Sequence, residues 1–270
     1  MLKVFLLGLL FSLLASGLLL GVLIFKEDTN ALLSPQFEAS SARSNRVLSS
    51  NTDSKEVIGF LPYWNLKSVS SIPFAQLTTI YYFAFDMDSE GGFNKDDGGW
   101  QKTTSSEFNS LLLAKKTYPN LRLGLTVVSL DADNIARIVN NSSRQDKLIA
   151  STMKSMKQYG FSDLNLDFEY YGDLDNTTIN NYTSFVKKIT KAVHSQIPDS
   201  RVSLDAYSDA VAKKRIFDIP KIGQIVDQVI IMGYDFHRLN SVNAGPVAPL
   251  FGKDKYEYDI YTAVTDYIKV

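Results

Sequence analysis

Asp167 and Glu169 stand two residues apart in the run Phe161-Ser-Asp-Leu-Asn-Leu-Asp-Phe-Glu169, where polar and apolar residues alternate. In an extended chain this alternation puts Asn165, Asp167 and Glu169 on one face and Leu164, Leu166 and Phe168 on the other. The two acidic residues then have Cα atoms about 6.5–7 Å apart, close enough for their carboxyls to influence each other. A carboxyl whose proton is retained through burial and a like-charged neighbour can deliver that proton to a leaving oxygen. The chemistry these residue types suit is general acid catalysis. An isolated Asp-x-Glu is common on solvated faces, so the surroundings must decide. Here the run follows Gly160, a helix-ending residue, and its other face is apolar, so the acids sit on a strand marked as interior.

Strands alternating with helices must position those acids. Candidate strands are Val57–Leu61, Thr78–Phe85, Leu121–Ser129, Phe161–Phe168, Val202–Tyr207 and Gln228–Met232, each short and rich in apolar or β-branched residues. Between them lie helical stripes. One contains Ile149, Met153 and Met156, opens at Ser143 with Asp146 three residues on, and ends at Gly160. Another contains Ile179, Tyr182, Phe185, Ile189 and Val193. Repeated strand–helix units imply parallel strands, in either an open doubly wound sheet or a closed eight-stranded barrel. The first strand leads into Gly59-Phe-Leu-Pro-Tyr-Trp64 and no Gly-rich phosphate loop, which disfavours a dinucleotide-binding sheet. Aromatic residues recur at strand ends: Tyr63, Trp64, Phe85, Tyr170, Tyr171, Tyr207, Tyr234 and Phe236. They suit a mouth that packs pyranose faces, although Tyr and Phe are also ordinary strand residues.

At residues 161–169 the sequence resembles glycoside hydrolase family 18, the chitinase-like family, whose signature alternates acids and ends in Asp-x-Glu. Three further stretches fit in the same order. Val57-Ile-Gly-Phe-Leu-Pro-Tyr-Trp64 looks like the family's first strand, Thr79-Ile-Tyr-Tyr-Phe-Ala-Phe85 like its second, and Ile231-Met-Gly-Tyr-Asp235 like its sixth. The resemblance implies a (β/α)8 TIM-type barrel and a substrate of β-linked N-acetylhexosamine, such as N-acetylglucosamine: chitin-like chains, cell-wall glycan or N-glycan cores. By the same resemblance Glu169 protonates the glycosidic oxygen, Asp167 orients the substrate's N-acetyl group, Tyr234 donates to the acetamido oxygen and Asp235 contacts the sugar. The substrate's own carbonyl would then be the nucleophile, so no opposing carboxylate is required. Asn165, Tyr63, Trp64, Phe85 and Tyr207 complete the expected substrate-binding set. No cofactor and no metal are expected. The alternative is a non-catalytic, lectin-like sugar binder on the same fold, against which retention of Glu169 argues.

The sequence also departs from that pattern. Ser162 and Asp163 replace the usual Asp-Gly, and Asn165 stands where an inward Asp is commonest. An amide at 165 is expected to hydrogen-bond Asp167 without sharing its charge, which should shift the pH optimum. Val128-Ser129-Leu130-Asp131 stands in place of the usual Ser-x-Gly-Gly at the third strand's end. Six strand–helix units can be counted against the eight of a closed barrel, so a C-terminally incomplete barrel, a fragment, is expected for residues 55–270.

Composition bounds the rest. The 270 residues are 45% hydrophobic and 21% charged, ordinary for a globular chain, and a formal net charge of −1 offers no case for nucleic-acid binding. The chain has no cysteine and only His194 and His237, which makes disulfides impossible and a His-rich metal site improbable. Residues 4–25 are almost uniformly apolar between Lys3 and Lys26. A helix of that length would rise about 33 Å, enough to cross a bilayer. The expectation is an uncleaved N-terminal transmembrane anchor in residues 1–26 and a Ser-rich tether in residues 27–54. The catalytic domain would then be held outside the cytoplasm, or secreted if the first segment is cleaved.

Overall fold

The computed structural model describes residues 55–172 and 174–270. Its strands are β1 Ile58–Pro62, β2 Thr79–Asp86, β3 Arg122–Ser129, β4 Asp163–Phe168, β5 Val202–Tyr207 and β6 Gln228–Met232. The longer helices are α1 Ser106–Thr117, α2 Ala132–Val139, α3 Ser142–Tyr159, α4 Asn176–Gln196 and α5 Ile260–Ile268. All six strands pair in parallel, in sequence order, in one sheet. This is the order of a TIM-type barrel that lacks its last two strands. The expected strands are all present, with ends within about two residues of those the sequence pattern gave.

Each of these five helices begins where a short polar side chain can satisfy a free amide. Ser105, Asp131, Asp175 and Asp259 accept from the backbone N–H three residues on. The helix expected to open at Ser143 starts one residue earlier, because Asn141 is its cap and accepts from the Arg144 amide. An Asn side chain reaches that amide as well as a serine does, and Ser143 lies inside the first turn. Gly160 ends α3 at φ 74°, a left-handed conformation that glycine adopts without steric cost, and β4 follows at once.

The two faces of β4 have separate partners. Leu164, Leu166 and Phe168 point to the helix layer and are fully buried. Phe168 lies 5.9 Å from the rings of both Tyr182 and Phe185, members of the α4 stripe. Burying each such side chain stabilises the fold by roughly 1.5–3 kcal/mol. The opposite face carries Asp163, Asn165 and Asp167, also buried. Asp163, at the strand's start, accepts from Arg122 Nε at 2.6 Å, from the Arg122 guanidinium terminus, and from the Arg201 amide at 3.1 Å. Glu56, just ahead of β1, accepts from Arg201 and from Gln228 at the start of β6. That contact brings the first and last strands toward each other at their N-terminal ends, so the sheet curls.

The expected membrane segment and tether lie outside the described residues. Among the described residues no helix is long and apolar enough to cross a membrane.

Candidate active site

Parallel strands deliver their C-terminal ends to one rim, and the acids of β4 lie there. The backbone amide of Glu169 donates to the Ser129 carbonyl at 2.9 Å, so the ladder with β3 extends one residue beyond Phe168 and fixes where Glu169 emerges. Its half-buried side chain opens into a hollow of about 670 Å³ lined also by Tyr171, Tyr207, Arg215, Tyr234 and Asp235. Glu169 and Tyr234, on β4 and after β6, face one cavity, while Asp167 does not line it. Tyr234 is 57% exposed, and burial together with the nearby acids pushes its phenol up to about 12, so it remains a donor at neutral pH. Asp235 follows at φ 60°, in the left-handed region that an aspartate tolerates better than most residues.

Asp167 lies beneath this rim and is 3% exposed. Its Oδ1 is buried with no hydrogen-bond partner. Burial, followed by repulsion from Asp205 and Glu169, holds its carboxyl well above the usual range. Asn165 does not bond Asp167 as expected. Its Nδ2 donates to Asp205 Oδ2 at 2.8 Å and lies 3.4 Å from Thr126 Oγ1, while the Ser203 hydroxyl donates to its Oδ1 at 2.7 Å. The reason is direction: Asn165 and Asp167 point the same way along one strand, whereas β3 and β5 offer partners alongside. The Tyr81 hydroxyl, 3.1 Å from Ser203 Oγ, extends this network across the interior. Gly124 makes room for it, since a Cβ there would come within 2.2 Å of the Tyr81 ring.

Asp205 and Arg215 escaped the sequence reading, and Tyr171, read there only as a strand-end aromatic, has a more specific contact. Asp205 is buried on the inward face of β5, and its carboxyl is also held above the usual range, chiefly by burial. The alternation Ser203-Leu-Asp205-Ala-Tyr207 carried that signal, because it repeats the polar–apolar period of β4. Tyr171 donates its hydroxyl to Glu169 Oε2 at 2.8 Å, packs 4.9 Å from the Tyr207 ring and carries the Arg215 guanidinium 5.6 Å from its centroid. Arg215 itself lies 4.5 Å from the Tyr207 centroid and pairs with Asp209 at 2.9 Å. These links depend on a loop following β5, which no local pattern announces.

The remaining predicted aromatic residues divide. Tyr207 lines the Glu169 hollow. Tyr63 and Trp64 line a second hollow of about 770 Å³ with Phe83, Asp86 and Asp131, and Leu130 borders both hollows. Phe85 belongs to neither. It is fully buried among Tyr82, Phe93, Trp100 and Tyr159. The pairing of β2 with β3 shifts between Tyr82 and Phe85, so two residues intervene on β2 where β3 has one. This bulge reverses the alternation and turns Phe85 to the helix side, leaving Phe83 inward. Among the described residues no group of three or more acidic or histidine side chains is arranged to hold a metal ion.

The sequence profile of the glycosyl hydrolases family 18 matches residues 56–270. The chain belongs to this family. Curated proteins match part of the chain at low identity. A probable chitinase 10 from Drosophila melanogaster is 26% identical over 135 residues, covering 47% of this chain and 6% of the relative. Chitotriosidase-1 of Mus musculus is 27% identical over 154 residues, 54% of this chain and 32% of the relative. A cortical fragment-lytic enzyme from Bacillus anthracis is 25% identical over 164 residues, 59% of this chain and 36% of the relative. Among solved structures, the Group IV chitinase of Ostrinia furnacalis in complex with allosamidin superposes with a TM-score of 0.70 at 18% identity, covering 80% of this chain and 62% of that one. The family 18 chitinase of Cycas revoluta in complex with (GlcNAc)3 gives 0.66 at 18% identity, over 78% and 64%. The chain thus aligns with about a third or less of these curated relatives and under two thirds of these solved structures.

Proposed function

We propose that the chain is a glycoside hydrolase of β-linked N-acetylhexosamine glycans, chitin-like or cell-wall chains, acting with retention through the substrate's own acetamido group. The observation that carries this reading is one cavity holding the Glu169 carboxyl and the Tyr234 phenol above a buried, proton-retaining Asp167. Glu169 gives its proton to the glycosidic oxygen as the C1–O bond breaks. The acetamido carbonyl attacks C1 from the other face, forming an oxazolinium ring. Asp167 accepts the acetamido N–H and stabilises the positive charge that grows there, while Tyr234 donates to the carbonyl oxygen and holds it in line. Water, deprotonated by the Glu169 carboxylate, then opens the ring at C1 and restores the acid. Asp235, Tyr207 and the Trp64 hollow supply contacts to the sugars. The similarity to chitinases supports the substrate class. The tether proposal accompanies it: residues 4–25 anchor the chain in a membrane with the hydrolase outside, a placement that membrane fractionation of the expressed chain would check.

The test is incubation of the full chain, and of its Glu169→Gln variant, with N-acetylglucosamine oligomers. The expected result is β-anomeric product from the unmodified chain, and binding without turnover from the variant. Binding by both with turnover by neither would replace the enzyme reading with a lectin-like one.

A further inference from the structure

Asp205 has no part in the chemistry above, yet it is a carboxyl buried in the interior beside it. Its surroundings are specific. Asn165 Nδ2 donates to Asp205 Oδ2 at 2.8 Å, and Oδ1 is left buried without a partner. Asp167 Oδ1 is in the same condition. The two strands are in register through Leu166 beside Leu204, so Asp167 and Asp205 are the next neighbours, both on the inward face. Adjacent strands lie about 4.8 Å apart. The ionisable groups facing Asp205 are Tyr81 from β2, Asp167 and Glu169 from β4, Tyr234 after β6, and Tyr182 from α4. Neither aspartate takes part in an ion pair among the described residues.

Two buried acids with unpaired oxygens and no cation cannot both be ionised cheaply. Both losing charge would leave Asp167 a neutral carboxyl, a weaker acceptor for an acetamido N–H and without the negative charge that steadies the positive charge growing there. One proton for two carboxyls resolves the conflict. We propose that Asp205 is a positioning residue that keeps one proton in common with Asp167, so that Asp167 becomes an acceptor when substrate arrives. The inference rests on the assignment of Asp167 to the acetamido group. The transfer is balanced: after a rotation of the Asp167 side chain, its O–H bond breaks and an O–H bond forms on Asp205, and the pair keeps a total charge of −1. Asn165 aligns the receiving carboxyl through its amide, while Ser203 fixes which end of the amide faces Asp205. The raised proton affinity of both carboxyls agrees with this arrangement.

The test uses Asp205→Asn, Asn165→Asp and the exchange variant Asn165→Asp/Asp205→Asn in the full chain. The exchange moves the acid to the other side of the same hydrogen bond. We expect Asp205→Asn to lower kcat 10- to 100-fold with KM changed less than about threefold and its pH profile displaced, and the exchange variant to regain most of kcat. A purely structural Asp205 would instead lower the melting temperature, leave the pH profile in place and gain nothing from the exchange. A second measurement needs no turnover. The infrared C=O stretch of a protonated carboxyl, followed against pH, should titrate at lower pH in Asp205→Asn and return toward its original midpoint in the exchange variant. A band indifferent to Asp205→Asn overturns the proposal. If the unmodified chain hydrolyses no N-acetylglucosamine oligomer but the band responds as described, the shared proton stands and the assigned reaction falls.

Discussion

The hydroxyl of Tyr171 donates to Glu169 Oε2 at 2.8 Å across only two residues of chain. Tyr171 is itself held by the Tyr207 ring and by Arg215, so the proposed acid is aimed by a stacked group and not by the strand alone. Removing this hydroxyl should loosen the acid without removing it. A hydrogen bond to an ionisable group contributes about 1.5–3 kcal/mol, so Tyr171→Phe should lower kcat by roughly tenfold or more. Steady-state kinetics on an N-acetylglucosamine oligomer would check this, and an unchanged kcat would show that Tyr171 only packs.

Asp167 gives a stability prediction with a defined sign. Its carboxyl is held up to about 8 in the fold, against about 4 in an unfolded chain. The folded state therefore favours the protonated form. Stability is full below the unfolded value and declines as pH rises through the folded one. An amide has no charge to bury, so Asp167→Asn should be more stable than the unmodified chain at pH 8, by about 2–5 kcal/mol, and should show almost no difference from it at pH 4. Melting curves across that range decide it; a difference that does not grow with pH would contradict the buried acid.

Arg122 and Asp163 close the opposite end of the interior, where the Asp163 side chain is 1% exposed. Truncating Arg122 leaves that carboxylate buried and unpaired, so Arg122→Ala should destabilise the fold by about 3 kcal/mol. The double variant Arg122→Met/Asp163→Leu should recover much of this, since a buried pair can be replaced by apolar side chains at little cost. Urea unfolding measures both, and equal losses in the two variants would count against the pairing argument.

Trp64 stands 59% exposed over the second hollow, which meets the first at Leu130. If sugars occupy both, the contribution of Trp64 depends on chain length. Trp64→Ala should raise KM about five- to tenfold for long oligomers and leave the shortest cleavable one nearly unaffected, because an aromatic ring of this size buries considerable area against a sugar face. A loss independent of length would place the Trp64 hollow outside the substrate path.

Local residue patterns were enough to set the strand–helix alternation and the inward row of β4. Both follow from short-range periodicity: the period of two in Leu164–Phe168 and the stripe from Tyr182 to Val193 each tolerate one outcome once one face is buried. Gly160 is local in the same sense, although the cap expected at Ser143 fell to Asn141. Tertiary structure decided which polar groups meet. Asn165 turned to Asp205 rather than Asp167 because the neighbouring strand, and not its own, lies within hydrogen-bond reach. Phe85 left the site because a bulge between paired strands inverted its side, a shift that depends on β3 as much as on β2. The Tyr171–Tyr207–Arg215 stack joins residues from two strand ends and a loop. Asn165 and Asp205 are 40 residues apart and Tyr171 and Tyr207 are 36 apart, and such partners are selected by packing, which no short window of sequence contains.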